Sequence, residues 1–216
     1  MAETRPARRH ARSALRRRQV LDAALSCFAE RGIERTAIED ICTASGASVG
    51  SLYHQFDGKH GVAAALYLDT LADFQSAVLA GLAAAADARA GLHALIAAHI
   101  RWVERNPERA RFLQQARHAG VVASRAPEIA DLNREFGRTI AAWMATHVAA
   151  GRLRASLVDL FIAQLLGPVQ EYVRGRLSGR DGTAPDAAIE ALAAAAWRAL
   201  GIDAPDAAWR PGEGRA

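Results

Sequence analysis

Lysine is almost missing from this 216-residue chain: Lys59 is the only one, and arginine carries the remaining positive charge. Cysteine is nearly as scarce, with Cys27 and Cys42 alone. Two cysteines build no disulfide framework, and both fall at small positions suited to inert core thiols. No stretch alternates apolar and polar residues over a useful length, which excludes a sheet protein and leaves the all-α class. No apolar run reaches the roughly 18–20 residues that cross a bilayer. The basic N-terminus is not followed by the apolar stretch and cleavage site of a secretory signal. A cytoplasmic protein with no membrane partner is expected.

Catalytic signatures are missing too. There is no glycine-rich phosphate loop, nucleophile elbow, paired-histidine motif or carboxylate cluster. The histidines are dispersed, His93 and His99 for example standing six apart, which is not metal-ligand spacing. No enzyme, cofactor or metal is expected.

What is present is charge asymmetry and a local motif. The net charge is +4, yet residues 1–18 hold Arg5, Arg8, Arg9, Arg12, Arg16, Arg17 and Arg18 against Glu3 alone. That segment carries +6 and the remainder −2. Concentrated basicity marks a place where a polyanion can sit, although a solvated tail without a partner has the same composition.

The motif lies in residues 32–59, GIERTAIEDICTASGASVGSLYHQFDGK. Thr36 and Glu39 have the spacing of a capping box at a helix start. Ile38 and Ile41 give that short helix a buried side, and Gly46 ends it. Ser48 can cap a second helix through Val49, Gly50, Ser51, Leu52, Tyr53 and His54. Two short helices joined by a glycine turn form the helix-turn-helix pattern, whose second helix enters the DNA major groove. The sequence therefore points to DNA binding.

Helical periodicity continues on both sides. Helix one is expected at about 14–31, with Leu21, Ala24 and Phe28 in line and Gly32 closing it. Helix four runs from near Lys59 to near Ala86, and helix five over about 88–105, ending at Asn106-Pro107, where Pro suits the start of helix six. Pro127 opens helix seven. Ser156 and Asp159 form a cap pair for helix eight, which contains Pro168, and helix nine covers about 186–200. About nine helices result. Residues 1–13 read as a basic flexible arm, 14–60 as the helix-turn-helix domain, 61–202 as a ligand-binding and dimerisation domain, and 203–216 as a flexible tail.

The first 60 or so residues resemble the TetR family of bacterial one-component transcriptional regulators. The resemblance rests on VLDAALSCFAERG, T-x-I-x-D-I, A-S-G-A-S-V-G-S-L-Y-x-x-F and Lys59. Departures are Ala47 for a larger aliphatic, Gln55 for His, Gly58 for a capping Ser, and His60-Gly61 for acidic residues; the last three weaken the start of helix four. The resemblance implies a homodimer on double-stranded operator DNA, most simply a repressor released by a small molecule. A DNA-organising or protein-interaction module of the same fold, sensing no small molecule, is the alternative.

Residue by residue, the resemblance makes Thr36 a phosphate contact, Ser48 the start of the reading helix, and Val49 and Gly50 the residues near base edges. Ser51 and Tyr53 match backbone contacts, with His54 or Gln55 beside them. Lys59 matches a cation meeting a phosphate at a helix N-terminus, where helix polarity favours an anion. Leu52 and Phe56 point inward. The spacing of Val49 also suits the core, and Tyr53 can equally be a partly buried aromatic.

The regulatory half carries apolar stripes rather than motifs. His99 and Trp102 share one with Leu92, Leu95 and Ile96; Trp143 and His147 share another with Leu132, Phe136 and Ile140. Each histidine is either a satisfied core residue or a polar anchor in an apolar cavity. In the second case Trp102, Phe112, Trp143, His99 and His147 line a site for a mostly apolar effector. Helix eight is apolar on two sides: Leu157, Phe161, Leu165 and Tyr172 on one, Ile162, Leu166, Val169 and Val173 on the other. With Ile189, Leu192, Ala196 and Leu200 of helix nine, this suggests a subunit seam through helices eight and nine.

Overall fold

The computed structural model describes residues 5–118, 120–180 and 182–203; side chains are described from Arg12 onward, apart from His118 and Val122. Among the described residues it is all-helical. The helices are α1 (Arg5–Arg31), α2 (Ile38–Ser45), α3 (Val49–Phe56), α4 (Lys59–Ala83), α5 (Ala88–Arg105), α6 (Pro107–His118), α7 (Ala126–Ala149), α8 (Val158–Leu177) and α9 (Pro185–Leu200). A tight 3-10 turn, Val121–Arg125, precedes α7. Most boundaries fall where breakers and caps put them. The exception is α1, which begins at Arg5 rather than near residue 14. Residues 5–13, expected as an arm, are helical, in keeping with the strong helix preference of Ala and Arg. Residues 1–4 of that arm, and the expected tail beyond Asp203, lie outside the described residues.

The chain divides into two compact units, and the division is not at residue 60. One unit runs to Gln75 and takes in Val103–Asn133; the other holds Ser76–Trp102 and the chain from Arg134 onward. α4 as far as Gln75 and all of α6 thus complete the core of the first unit. That core contains Leu21, Ala24 and Phe28 of α1, Ile41 of α2, Leu52 and Phe56 of α3, and Val62 and Leu66 of α4. Phe112 and Ala116 of α6 close it, Phe112 stacking on Phe28 at 5.8 Å between ring centroids. A three-helix head of about 45 residues buries too little apolar surface to be secure alone, and these added helices supply more.

An ion-pair network ties the same elements together. Arg109 of α6 reaches Asp22 of α1 at 3.2 Å and Asp69 of α4 at 3.4 Å. Arg17 of α1 approaches Asp69 at 3.8 Å and lies over the Phe56 ring at the end of α3.

In the second unit, Leu92, Leu95, Ile96 and Ile100 of α5, Ile140 and Met144 of α7, and Ile189 and Leu200 of α9 are buried. The end of the described chain is held by backbone bonds from Arg154 to Leu200 and from Ile202 to Arg152, both 2.9 Å. The α8 pattern resolves differently from its sequence reading. Phe161 and Leu165 on one side and Leu166, Val169 and Val173 on the other are all buried within the single chain. Both apolar sides thus contribute to the core, and Ile189, Ala196 and Leu200 of α9 also turn inward. Leu157, just before α8, is exposed, and α8 itself exposes Asp159, Leu160, Ala163, Gln164, Gly167, Pro168, Gln170, Glu171 and Arg174. Nor is α8 capped by Ser156: the residue before it is Leu157, which makes no side-chain cap.

One further expectation changes. α4 is long and apolar enough, by length and composition, to cross a membrane, and half of its apolar window is buried inside the protein. Many weakly apolar alanines reach that threshold without forming an uninterrupted run of large apolar residues.

Candidate nucleic-acid interface

The turn between α2 and α3 follows the sequence logic. Gly46 ends α2 with φ 67°, and the Ser48 hydroxyl accepts the Ser51 amide at 3.3 Å. Leu52 and Phe56 sink into the core. The opposite face of α3 then emerges as a consequence of helical geometry: Val49, Gly50, Ser51, Tyr53, His54 and Gln55 are exposed. Val49 is 39% exposed and Tyr53 55%, which sets both on the outer face rather than in the core.

The start of α2 differs. Its cap position is Ala37, whose amide donates to the Asp40 carboxylate at 2.8 Å. Arg31 donates to the other Asp40 oxygen at 2.7 Å. The Ala37 amide first, and then the Arg31 guanidinium, hold the Asp40 carboxyl below its ordinary range. Thr36, expected as both cap and phosphate contact, is neither capping nor exposed. It is 1% exposed, and its hydroxyl donates to the carbonyls of Gly32 at 2.8 Å and Cys27 at 3.2 Å. A hydroxyl beside the end of α1 finds free carbonyls there, and they outcompete the amides of α2.

The junction between α3 and α4 gives the unusual residues a purpose. Asp57 and Gly58 both take left-handed backbone, φ 61° and 87°. A Cβ on Gly58 would lie 3.1 Å from the Tyr53 ring, so the missing side chain makes room for that phenol. At Gly61 a Cβ would fall 1.4 Å from the Phe56 carbonyl oxygen. Only glycine lets the end of α3 sit this close to the first turn of α4. These departures therefore set the position of α3 against α4, a role that helix propensity alone did not reveal. Lys59 begins α4, and its ammonium donates to the Glu34 carbonyl at 2.9 Å, holding it beside the segment that leads into α2.

The five residues expected to form an effector site do not all come together. Phe112 belongs to the core of the first unit. In the other unit, Trp143 meets His147 edge-on at 4.7 Å and Phe161 at 6.5 Å. The Trp143 indole lies against Gly91, where a Cβ would be 2.2 Å from the ring. His99 and Trp102 lie further along α5, both buried. Burial lowers the His99 pKa to about 4, so its imidazole is neutral at neutral pH. Sequence reasoning missed Arg109 and Asp69, because an ion pair between distant segments leaves no local signature. Among the described residues no cluster of His, Cys, Asp and Glu could hold a metal ion.

Residues 20–66 match the family model described as bacterial regulatory proteins, tetR family. Over 125 residues the chain is 34% identical to the HTH-type transcriptional repressor KstR2 of Rhodococcus jostii strain RHA1. That alignment covers 56% of this chain and 59% of the repressor. Among solved structures, a TetR family transcription regulator from Marinobacter aquaeolei VT8 superposes with a TM-score of 0.75 at 22% identity, covering 90% of this chain and 100% of its own. The fatty acid degradation regulator FadR from Bacillus halodurans gives 0.70 at 18% identity, covering 83% and 93%. The fold is the one these structures share, and residues 20–66, which hold the helix-turn-helix, are similar to the tetR family of bacterial regulatory proteins.

Proposed function

We propose that the protein is a ligand-responsive transcriptional repressor that binds a palindromic operator as a homodimer. The carrying observation is the outer face of α3, where Val49, Gly50, Ser51, Tyr53, His54 and Gln55 stand exposed on a helix pinned by Leu52 and Phe56. Small residues at the start of α3 let its backbone approach the duplex, and the Val49 methyls can meet a thymine methyl. α3 offers no Arg or Asn, and Gln55 is its side chain able to pair bidentately with an adenine, so the rest of operator choice leans on groove shape and apolar contact. Tyr53 and Lys59 flank this face and serve the phosphates, Lys59 exchanging the Glu34 carbonyl for a stronger anionic acceptor.

Two such heads must reach successive major grooves, about 34–36 Å apart. The second copy docks through the outward faces of α8 and α9, where Leu157 at the cap position of α8 and Leu160 in its first turn are the exposed large apolar residues. A mostly apolar effector binds in the second unit among His99, Trp102, Trp143 and His147, and favours a spacing of the heads that does not fit the operator. The operator must then weaken effector binding by the same factor.

The test is a fluorescence titration of an operator selected from a randomised duplex pool. Tyr53→Phe and Lys59→Ala should weaken binding to all sequences alike, and Lys59→Ala should flatten the salt dependence by about one unit of slope. Wild-type affinity and slope in both variants would remove these residues from the interface. Failure of the pool to yield any bound sequence would remove DNA binding itself.

A further inference from the structure

In the N-terminal half of α1 the described side chains give the helix no packing to add to the helix preference of Ala and Arg. Each residue from Arg12 to Arg16 is exposed, more than a full turn without packing on any side. Packing resumes at Arg17, which is half-buried over Phe56 and beside Asp69. Tertiary burial normally stabilises short helices, and this stretch has none in the described chain.

Its charge is arranged rather than scattered. Arg5, Arg8, Arg9, Arg12 and Arg16 fall at spacings of three and four residues in α1. At 3.6 residues per turn these positions occupy one arc of about 100°, over about 17 Å of helix. The arc is turned away from the positions of Leu21, Ala24 and Phe28, which form the buried face further along the same helix. The pairs Arg5–Arg9, Arg8–Arg12 and Arg12–Arg16 are like charges four apart, and each such pair destabilises an isolated helix. No acidic residue lies between Arg5 and Asp22 to offset them. A ridge of like charge, exposed at its described members Arg12 and Arg16, is complemented by a dense line of negative charge.

We propose that residues 5–16 of α1 are a second DNA-binding element, a basic ridge that lies along the phosphates beside the groove entered by α3. The inference rests on the reading of the protein as a DNA-binding regulator and deepens it by assigning a partner to a surface outside the helix-turn-helix. Duplex DNA carries one charge per about 1.7 Å of axis, so a 17 Å ridge runs past enough phosphates for all five arginines. Guanidinium groups suit phosphate oxygens because they donate two parallel hydrogen bonds. The contacts are sequence-independent. They extend the footprint beyond the half-site and increase affinity without changing operator choice.

The test uses the full-length protein and two operator duplexes, one cropped at the half-sites and one extended by about 10 base pairs, one helical turn, on each side with mixed sequence. Wild type should bind the extended duplex about tenfold or more tightly than the cropped one at low salt, with a steeper salt slope. Arg12→Gln with Arg16→Gln, and the fivefold Gln variant at positions 5, 8, 9, 12 and 16, should abolish that difference. The slope should fall by roughly 0.9 for each arginine that had met a phosphate. An unchanged melting temperature is expected, because the described arginines there, Arg12 and Arg16, are exposed. Equal binding of both duplexes by wild type, or equal slopes for wild type and variants, overturns the ridge while leaving the groove-reading helix intact. Loss of binding to phosphatidylserine vesicles with no change on either duplex also overturns it, in favour of a membrane partner. Absence of any duplex binding by wild type overturns the DNA reading rather than the ridge alone.

Discussion

At Gly61 a single hydrogen in place of a side chain decides whether α3 and α4 can meet. Because a Cβ there would overlap the Phe56 carbonyl oxygen, Gly61→Ala should separate the two helices, even though Ala is the better helix former by about 1 kcal/mol. The expected outcome is a net loss of a few kcal/mol in urea unfolding, as for other overpacked sites. A more stable Gly61→Ala protein would show that propensity governs the junction. His99 gives a second prediction at this scale. Its folded pKa of about 4 lies below the ordinary value of 6.5, so the folded protein favours the neutral ring. Its contribution is present in full above pH 6.5 and is lost as pH falls toward 4, because the unfolded chain takes up a proton there. Between about pH 7.5 and pH 5 the loss is roughly 2 kcal/mol. His99→Gln cannot titrate and should lack that portion of the pH dependence in paired unfolding curves. Identical pH profiles for the two proteins would show that the imidazole is not held neutral.

At the scale of elements, what could be read from the sequence depended on whether the signal was local. Gly32, Gly46, Ser48 and Pro107 act on their immediate neighbours, and the helix ends they predict are where the structure has them. Thr36 misled because its spacing to Glu39 is a valid capping box, while its hydroxyl donates instead to the carbonyls of Gly32 and Cys27 at the end of α1, competitors that the spacing does not weigh. The exposed face of α3 was legible because two inward residues, Leu52 and Phe56, fix the outer side of a two-turn helix. The boundary between units was not legible, since it is set by Arg109 and Phe112 of α6 folding back onto α1. That long-range tie makes a prediction. Arg109→Ala removes a mostly buried cation and leaves Asp22 and Asp69, both more exposed, to be solvated. A loss of roughly 1–3 kcal/mol is expected, below the 3–5 of a fully buried pair. Combining Arg109→Ala with Asp69→Asn should cost less than the sum of the separate changes, because the two share one interaction. Strict additivity in a double-mutant cycle would show that the pair at 3.4 Å contributes nothing.

For the whole molecule, the proposed dimer is decided by which residues of α8 the single chain leaves uncovered. The sequence pattern offered two apolar sides and could not say which belonged to the core; in the structure both do. Val169 is wholly buried and Val173 nearly so, so Val169→Glu should unfold the subunit rather than part a dimer, an unpaired buried charge costing several kcal/mol. The residues left for a partner are Leu157, 68% exposed, and Leu160, 51% exposed, followed along the helix by Gly167 and Pro168, whose small or flat surfaces permit close approach. Leu157→Glu with Leu160→Glu should therefore keep the helical content and melting cooperativity of a folded chain while sedimenting as a monomer. Each monomer retains a complete helix-turn-helix, so half-site binding should persist at higher protein concentration. Binding to the palindrome should lose the gain that comes from linking two heads, which reaches 10²–10⁴ when both can engage. Dimers that persist in the Leu157/Leu160 variant, alongside a folded but monomeric Val169→Glu protein, would place the subunit contact on the face that this structure assigns to the core.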